Sequence, residues 1–203
     1  MIWINVIVLC GAYLLGSISS AIIVCKLLSL PDPRTQGSNN PGATNVMRIG
    51  GKKAAAFTLA GDIIKGLLPA LLAHSLGMSS AWVMLIGFAA FIGHLYPIFF
   101  SFQGGKGVAT LIGVLFGFSI WLGLGFVSVW FVMAKVFKIS SLSALVAAFL
   151  SPIFTWFYTH DIAVTVIVIM MTALLTLRHK ENIQKLLSGE EDSIGKTKDA
   201  LDD

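Results

Sequence analysis

Residues 108–134 read VATLIGVLFGFSIWLGLGFVSVWFVMA, from Val108 to Ala134 without one charged side chain. How often this stretch crosses a bilayer decides the fold. A helix needs about 20 apolar residues to span hydrocarbon. This stretch is longer, and Gly113, Gly117, Gly123 and Gly125 make it breakable. Further apolar stretches run from the amino terminus to Cys25 and at 54–73, 81–101, 140–158 and 161–177. The whole chain agrees with them: over 203 residues, 56% are hydrophobic and 12% charged, and mean hydropathy is +0.86. A soluble domain carries about a quarter charged residues, so this is an integral membrane protein, all-α and polytopic.

The formal charge of +4 and pI near 9.2 do not argue for nucleic acid. At this hydropathy an excess of cations belongs to cytoplasmic loops, so no nucleic acid is expected as a partner. Cys10 and Cys25 both fall in the first apolar run, with no CxxC or Cys/His spacing, and read as small hydrophobes. That first run lacks Lys or Arg at its start and is too long for a signal-peptide core. It reads as an uncleaved span with the amino terminus outside, because Lys26 follows it.

Parity then fixes the count. Arg178-His179-Lys180 belongs in the cytoplasm on charge, which requires an odd number of crossings, whereas the six stretches taken singly give an even one. Either the last two form one irregular passage, giving five, or residues 108–134 cross twice, giving seven. Seven transmembrane helices are preferred: Lys135 and Lys138 then close the stretch on the inner side, and its first half is a short helix. On this topology Lys26, Arg34, Arg48, Lys52, Lys53, Lys106, Lys135, Lys138, Arg178, Lys180, Lys185, Lys196 and Lys198 all fall inside, and only Lys65 lies within a span.

The polar motifs gather on that face. Gly37-Ser38-Asn39-Asn40-Pro41-Gly42-Ala43-Thr44-Asn45-Val46-Met47-Arg48 and Gln103-Gly104-Gly105-Lys106-Gly107-Val108-Ala109-Thr110 look like phosphate cradles, in which glycines turn backbone N–H groups towards an anion and Arg48 and Lys106 add charge. Each alone is equally well a loop with turn glycines. With Ser140-Ser141 and the segment from Arg178 to Glu191 they converge on a cytoplasmic active site.

Gly16-Ser17-Ile18-Ser19-Ser20, the Pro31-Asp32-Pro33-Arg34 lead-in to the first loop, Gly93-His94 with Pro97 ahead of Gly104-Gly105-Lys106-Gly107, and Arg178-His179-Lys180-Glu181-Asn182-Ile183-Gln184 with Gly189 and Glu191 resemble the PlsY family of bacterial membrane glycerol-3-phosphate acyltransferases. The resemblance covers nearly the whole chain except the tail from Asp192. It implies seven membrane helices in the bacterial inner membrane and transfer of an acyl group from acyl phosphate to the first hydroxyl of glycerol 3-phosphate, giving lysophosphatidic acid. It implies catalytic roles for Ser38, Arg48, Lys106, His179 and Asn182, and a glycerol-3-phosphate loop at Gly104, Gly105 and Gly107 with Lys106. Glu191 matches a structural glutamate. Asn39, Thr44, Asn45, Ser140 and Ser141 are further candidates for substrate binding. Gln103 stands where relatives can carry a basic residue.

The chemistry fits these residue types. An acyl phosphate is already activated, so positioning and anion stabilisation matter more than covalent help. His179 is either the general base for the attacking hydroxyl or a donor to phosphate; the donor role is slightly preferred, since the acyl phosphate brings its own proton acceptor. Asn182 shares its face if both lie on one helix. No His precedes an Asp by five positions, and Gly-x-Ser-x-Gly and Walker A patterns are absent, so no acyl-enzyme is expected. With few carboxylates near the membrane, turnover without metal or cofactor is expected.

Asp62 and Lys65, three apart within a span, read as a neutralising pair, a structural role preferred to a catalytic one. His94 either orients the glycine loop or simply satisfies a helix end. The Gly16–Ser20 run permits close helix packing or lines an acyl-phosphate entrance. Residues 1–191 form one domain, and 192–203 read as a disordered cytoplasmic tail. The expected partners are acyl phosphate, glycerol 3-phosphate and membrane lipid, with no obligate protein partner. The rival reading is a transporter or channel for a phosphorylated solute, for which binding groups at the bilayer midplane and an internal repeat would be expected.

Overall fold

The computed structural model describes residues 2–194, and the regular structure among them is helical: α1 (Ile2–Gly16), α2 (Ser20–Leu27), α3 (Ala43–Ser75), α4 (Ser80–Leu95), α5 (Val108–Phe118), α6 (Ile120–Phe137), α7 (Ser140–Thr159), α8 (Ile162–Arg178) and α9 (Lys180–Ser188). The 108–134 stretch is divided at Ser119. Its backbone is extended there (φ −156°, ψ 132°), and its hydroxyl accepts from the Trp121 amide at 3.3 Å to cap α6. Four helices are long and apolar enough to cross a membrane, or six if each bent pair is one span, while α5 is shorter.

At eleven residues α5 rises about 16 Å, roughly half the hydrocarbon thickness. It lies against α3 and runs in the same direction. A side chain on Gly66 would strike the Thr110 carbonyl, and one on Gly113 would strike the Ile63 carbonyl and Leu67 amide. The two backbones touch because these residues are glycine. Beyond Gly117 the end of α5 meets the end of α3, where His74 Nε2 lies 3.0 Å from the Phe118 carbonyl oxygen. The other end of α5 therefore opens inside the bundle, level with the middle of α3.

The first span departs from the continuous helix expected to Cys25: α1 and α2 meet at a 42° bend. Ser17 turns its hydroxyl back to the Tyr13 carbonyl at 2.9 Å, and Ser19 caps α2 through the Ile22 amide. These local bonds compete with the helical ladder, and the Ile18 carbonyl is released from it. Gly16 and Gly93 let α1 and α4 approach backbone to backbone at the same level. A second departure is the start of α3 at Ala43 rather than near 54, with a kink at Gly51 (φ +76°). Buried Val46 and Ala54 dock the first turns of α3 on Ala21 and Cys25 of α2, so Thr44, Asn45 and Arg48 are helical and not loop residues.

Pro97, which has no N–H, stops α4. Asp161 caps α8 through the Ala163 and Val164 amides at 2.9 and 3.2 Å. The main core joins α4 to α8 through Phe91, Leu111, Leu115, Phe126, Val168 and Leu175. At the far side of His179, α9 turns 61° away from α8 with Lys180, Glu181, Gln184 and Lys185 exposed, an amphipathic helix suited to an interface.

Candidate active site

The glycine loop is fixed before any ligand arrives. Gly104 and Gly105 are buried, and Arg178, at the end of α8, donates from Nη2 to the Gly104 carbonyl at 2.7 Å and from Nε to the Gly105 carbonyl at 3.2 Å. Its guanidinium carbon sits 5.7 Å from the Tyr96 ring centroid. The Gly105 amide donates to the His94 carbonyl at 3.2 Å, so this amide is not an anion donor as the cradle reading expected. Donors remain one step further on: the amides of Lys106, Gly107 and Val108 have no partner among the described residues. Gly107 makes the turn into α5 with φ +91°, where Phe91 and Leu95 fill the space a Cβ would need. The positive end of the α5 dipole thus sits beside Lys106, an arrangement whose charge and open amides suit an anion.

Lys106 is held by a chain of side chains. Its Nζ donates to Asn182 Oδ1 at 2.5 Å, Asn182 Nδ2 donates to Glu191 Oε1 at 2.6 Å, and the Ser141 hydroxyl donates to the same oxygen at 2.6 Å. Asn182 therefore faces its oxygen to the cation and its nitrogen to the carboxylate. Ser141 was a candidate for substrate, but it is buried and spends its one proton on Glu191; Ser140 is the first residue of α7 and half-buried. Burial pulls the Lys106 ammonium below its ordinary pKa, and the nearby carboxylates of Glu181 and Glu191 oppose this.

His179 sits at the junction of α8 and α9 and is 3% exposed. Its Nδ1 lies 2.8 Å from the Leu175 carbonyl oxygen, which can only accept, so Nδ1 carries the proton and Nε2 of the neutral ring is a bare lone pair. Burial is the main reason its pKa falls to about 4, with Lys106 and Arg178 adding repulsion and the Leu175 bond opposing. The ring is neutral at physiological pH. In this tautomer Nε2 can take a proton or accept a bond.

The first loop closes over the same place. Asn45 is buried and both of its polar atoms are engaged: Nδ2 donates to the Pro33 and Gln36 carbonyls, both at 2.9 Å, and Oδ1 accepts the Ser38 amide at 2.9 Å. Asn45 shapes the loop through these bonds. It leaves Ser38, Asn39, Thr44 and Arg48 exposed around the opening. The Pro41 carbonyl oxygen lies 3.2 Å from where a Cβ on Gly105 would stand, so the two loops touch. Asp32 receives Arg34 from both backbone and guanidinium, and those bonds hold its carboxyl below the usual range.

Two residues were missed in the sequence. Arg178 is the clamp on the glycine loop, and Asp192, assigned to the tail, pairs with Arg48 at 3.1 Å. The Ile194 amide also donates to the Lys138 carbonyl at 2.6 Å, so the tail begins as a strap across the site; residues 195–203 of the proposed tail lie outside the described residues. The sequence placed Arg178 in the third polar motif, at the end of an apolar helix, but gave no sign that it acts on the glycine-loop backbone.

Comparison with known proteins places the chain in a family. The family model described as glycerol-3-phosphate acyltransferase matches residues 6–189. A glycerol-3-phosphate acyltransferase of Thioalkalivibrio sulfidiphilus is 52% identical over 93% of this chain and 93% of its own length. That of Methylococcus capsulatus is 55% identical over 91% and 93%. Crystal structures of PlsY, an integral membrane glycerol 3-phosphate acyltransferase, superpose with a TM-score of 0.90 in the glycerol 3-phosphate form and 0.87 in the lysophosphatidic acid form. Both are 38% identical; the first covers 94% of this chain and 96% of that one, the second 94% and 95%. On a family match spanning nearly every helix that builds the site, this chain belongs to the glycerol-3-phosphate acyltransferase family.

Proposed function

We propose that the protein transfers an acyl group from acyl phosphate to the 1-hydroxyl of glycerol 3-phosphate, at the cytoplasmic face of the bacterial inner membrane. The observation that carries this reading is the His179 imidazole, protonated at Nδ1 and within the field of Lys106, next to the open amides at the start of α5. A structural relative solved in its glycerol 3-phosphate form supports glycerol 3-phosphate as the acceptor, and its phosphate is assigned to this seat on charge and free amides alone. Arg48 and Ser38, at the opening, receive the phosphate of the acyl donor. Arg48 exchanges Asp192 for it.

The reaction needs one proton transfer. The C1 hydroxyl oxygen attacks the acyl carbonyl carbon, an ester C–O bond forms, and the acyl C–O bond to phosphate breaks. His179 Nε2 takes the hydroxyl proton and phosphate leaves with the bonding pair, charge-matched by Arg48 and Lys106. Holding two phosphorylated substrates together costs Coulomb repulsion, which the cations and free amides offset. The parity of charged loops supports seven crossings, with the divided α5 and α6 as two of them and the amino terminus outside.

The test is donor identity. Purified protein given radiolabelled glycerol 3-phosphate should form lysophosphatidic acid with acyl phosphate and release one inorganic phosphate per ester, and should form none with acyl-CoA. Equal rates with acyl-CoA would defeat the proposal.

A further inference from the structure

Three ionisable residues that take no part in the chemistry above meet inside the bundle. Asp62 and Lys65 of α3 and His94 of α4 are 2%, 4% and 6% exposed. Lys65 Nζ stands 2.9 Å from Asp62 Oδ1 and donates to the Ile18 carbonyl at 2.7 Å, the oxygen released by the break between α1 and α2. His94 Nδ1 lies 3.6 Å from the same Asp62 oxygen. The other edge of the ring faces the loop: a Cβ on Gly105 would land on His94 Nε2 and Cε1. The His94 carbonyl accepts the Gly105 amide as well, so one residue touches Gly105 from two sides.

Charge neutralisation alone does not explain this arrangement. Asp62 and Lys65 already neutralise each other, and a buried pair contributes little net stability compared with well-packed apolar residues. What the pair adds is direction. It ties the broken first span to the ring that backs the glycine loop, through groups with fixed geometry. We infer that Asp62 and Lys65 are positioning residues for the glycine loop, acting through the His94 ring to hold Gly105 and Lys106 where the substrate phosphate binds. This rests on reading that loop as the seat of glycerol 3-phosphate.

The double variant Asp62→Leu/Lys65→Met removes both charges together and leaves neither buried unpaired, so it is the variant expected to fold. His94→Phe keeps a ring beneath Gly105 but cannot engage Asp62. Each is purified with the wild type, its melting temperature measured in detergent, and its kinetics taken against both substrates. The inference expects KM for glycerol 3-phosphate to rise about tenfold or more in both variants, since a displacement of about 1 Å suffices for such losses, while KM for acyl phosphate stays within about twofold. A wild-type KM for glycerol 3-phosphate in the folded double variant overturns it and leaves the trio a packing device, as does an equal rise in both KM values. Should Asp62→Leu/Lys65→Met fail to fold, His94→Phe decides by the same criterion. A wild type that does not acylate glycerol 3-phosphate at all would instead defeat the function on which the inference rests.

Discussion

In the proposed mechanism, His179 concentrates the proton transfer in one atom. Because Nδ1–H is committed to Leu175, Nε2 is a lone pair, and the depressed pKa of about 4 keeps it so across the neutral range. Activity, measured as kcat/KM against pH, should therefore stay level through the ordinary histidine range near 6.5 and fall only as pH drops towards about 4. The stability linkage has the same sign: the unfolded chain binds the proton first, so the stability due to neutral His179 is complete above about pH 6.5 and is lost as pH falls through the folded value. His179→Gln should be as inactive as His179→Ala while folding normally. A glutamine variant that regains most of the rate would return the ring to the role of phosphate donor. This could not be read from the sequence, because the choice depends on one carbonyl a helical turn away. The clamp by Arg178 and the loop brace by Asn45 were hidden for a similar reason: both act on backbone atoms, which the residue letters do not display.

At the scale of elements, the division of residues 108–134 was legible, since glycines weakened the middle and Lys135 and Lys138 marked the far end. The helical start of α3 was not, because Thr44, Asn45 and Gly51 read as loop residues and the turn is held by packing on α2. The depth of α5 was equally hidden: it follows from contact between glycines of two helices. That contact makes a prediction. Gly113→Ala should destabilise the protein by about 2 kcal/mol, as overpacking does, because the new methyl meets the Ile63 carbonyl and Leu67 amide, which belong to a rigid helix. Gly11→Ala, with open space at its Cβ, is the control and should melt with the wild type. Equal melting temperatures for both variants in detergent would show that α3 and α5 do not touch there.

The whole molecule gathers Arg48, Lys106, Asn182, His179 and Glu191 at one end of the bundle and the turns at Ser79 and His160 at the other, with the connections made by bonds between distant helices. With Cys10 and Cys25 replaced, cysteines at Ser38, Gln103 and Ser188 should react with an impermeant thiol reagent only when the inner face is opened, and those at Ser79 and His160 from outside. All five positions are exposed. Labelling of Ser188 from outside would place the third motif across the membrane from the first two. The most direct measurement of the central claim is calorimetric binding of glycerol 3-phosphate to the purified protein without acyl donor. The wild type should bind one equivalent, competed by inorganic phosphate, and Lys106→Met should weaken binding at least tenfold, about 1.4 kcal/mol, for loss of a charge-assisted contact. Unchanged affinity in a folded Lys106→Met protein would contradict the account, because the phosphate would then sit somewhere other than the start of α5.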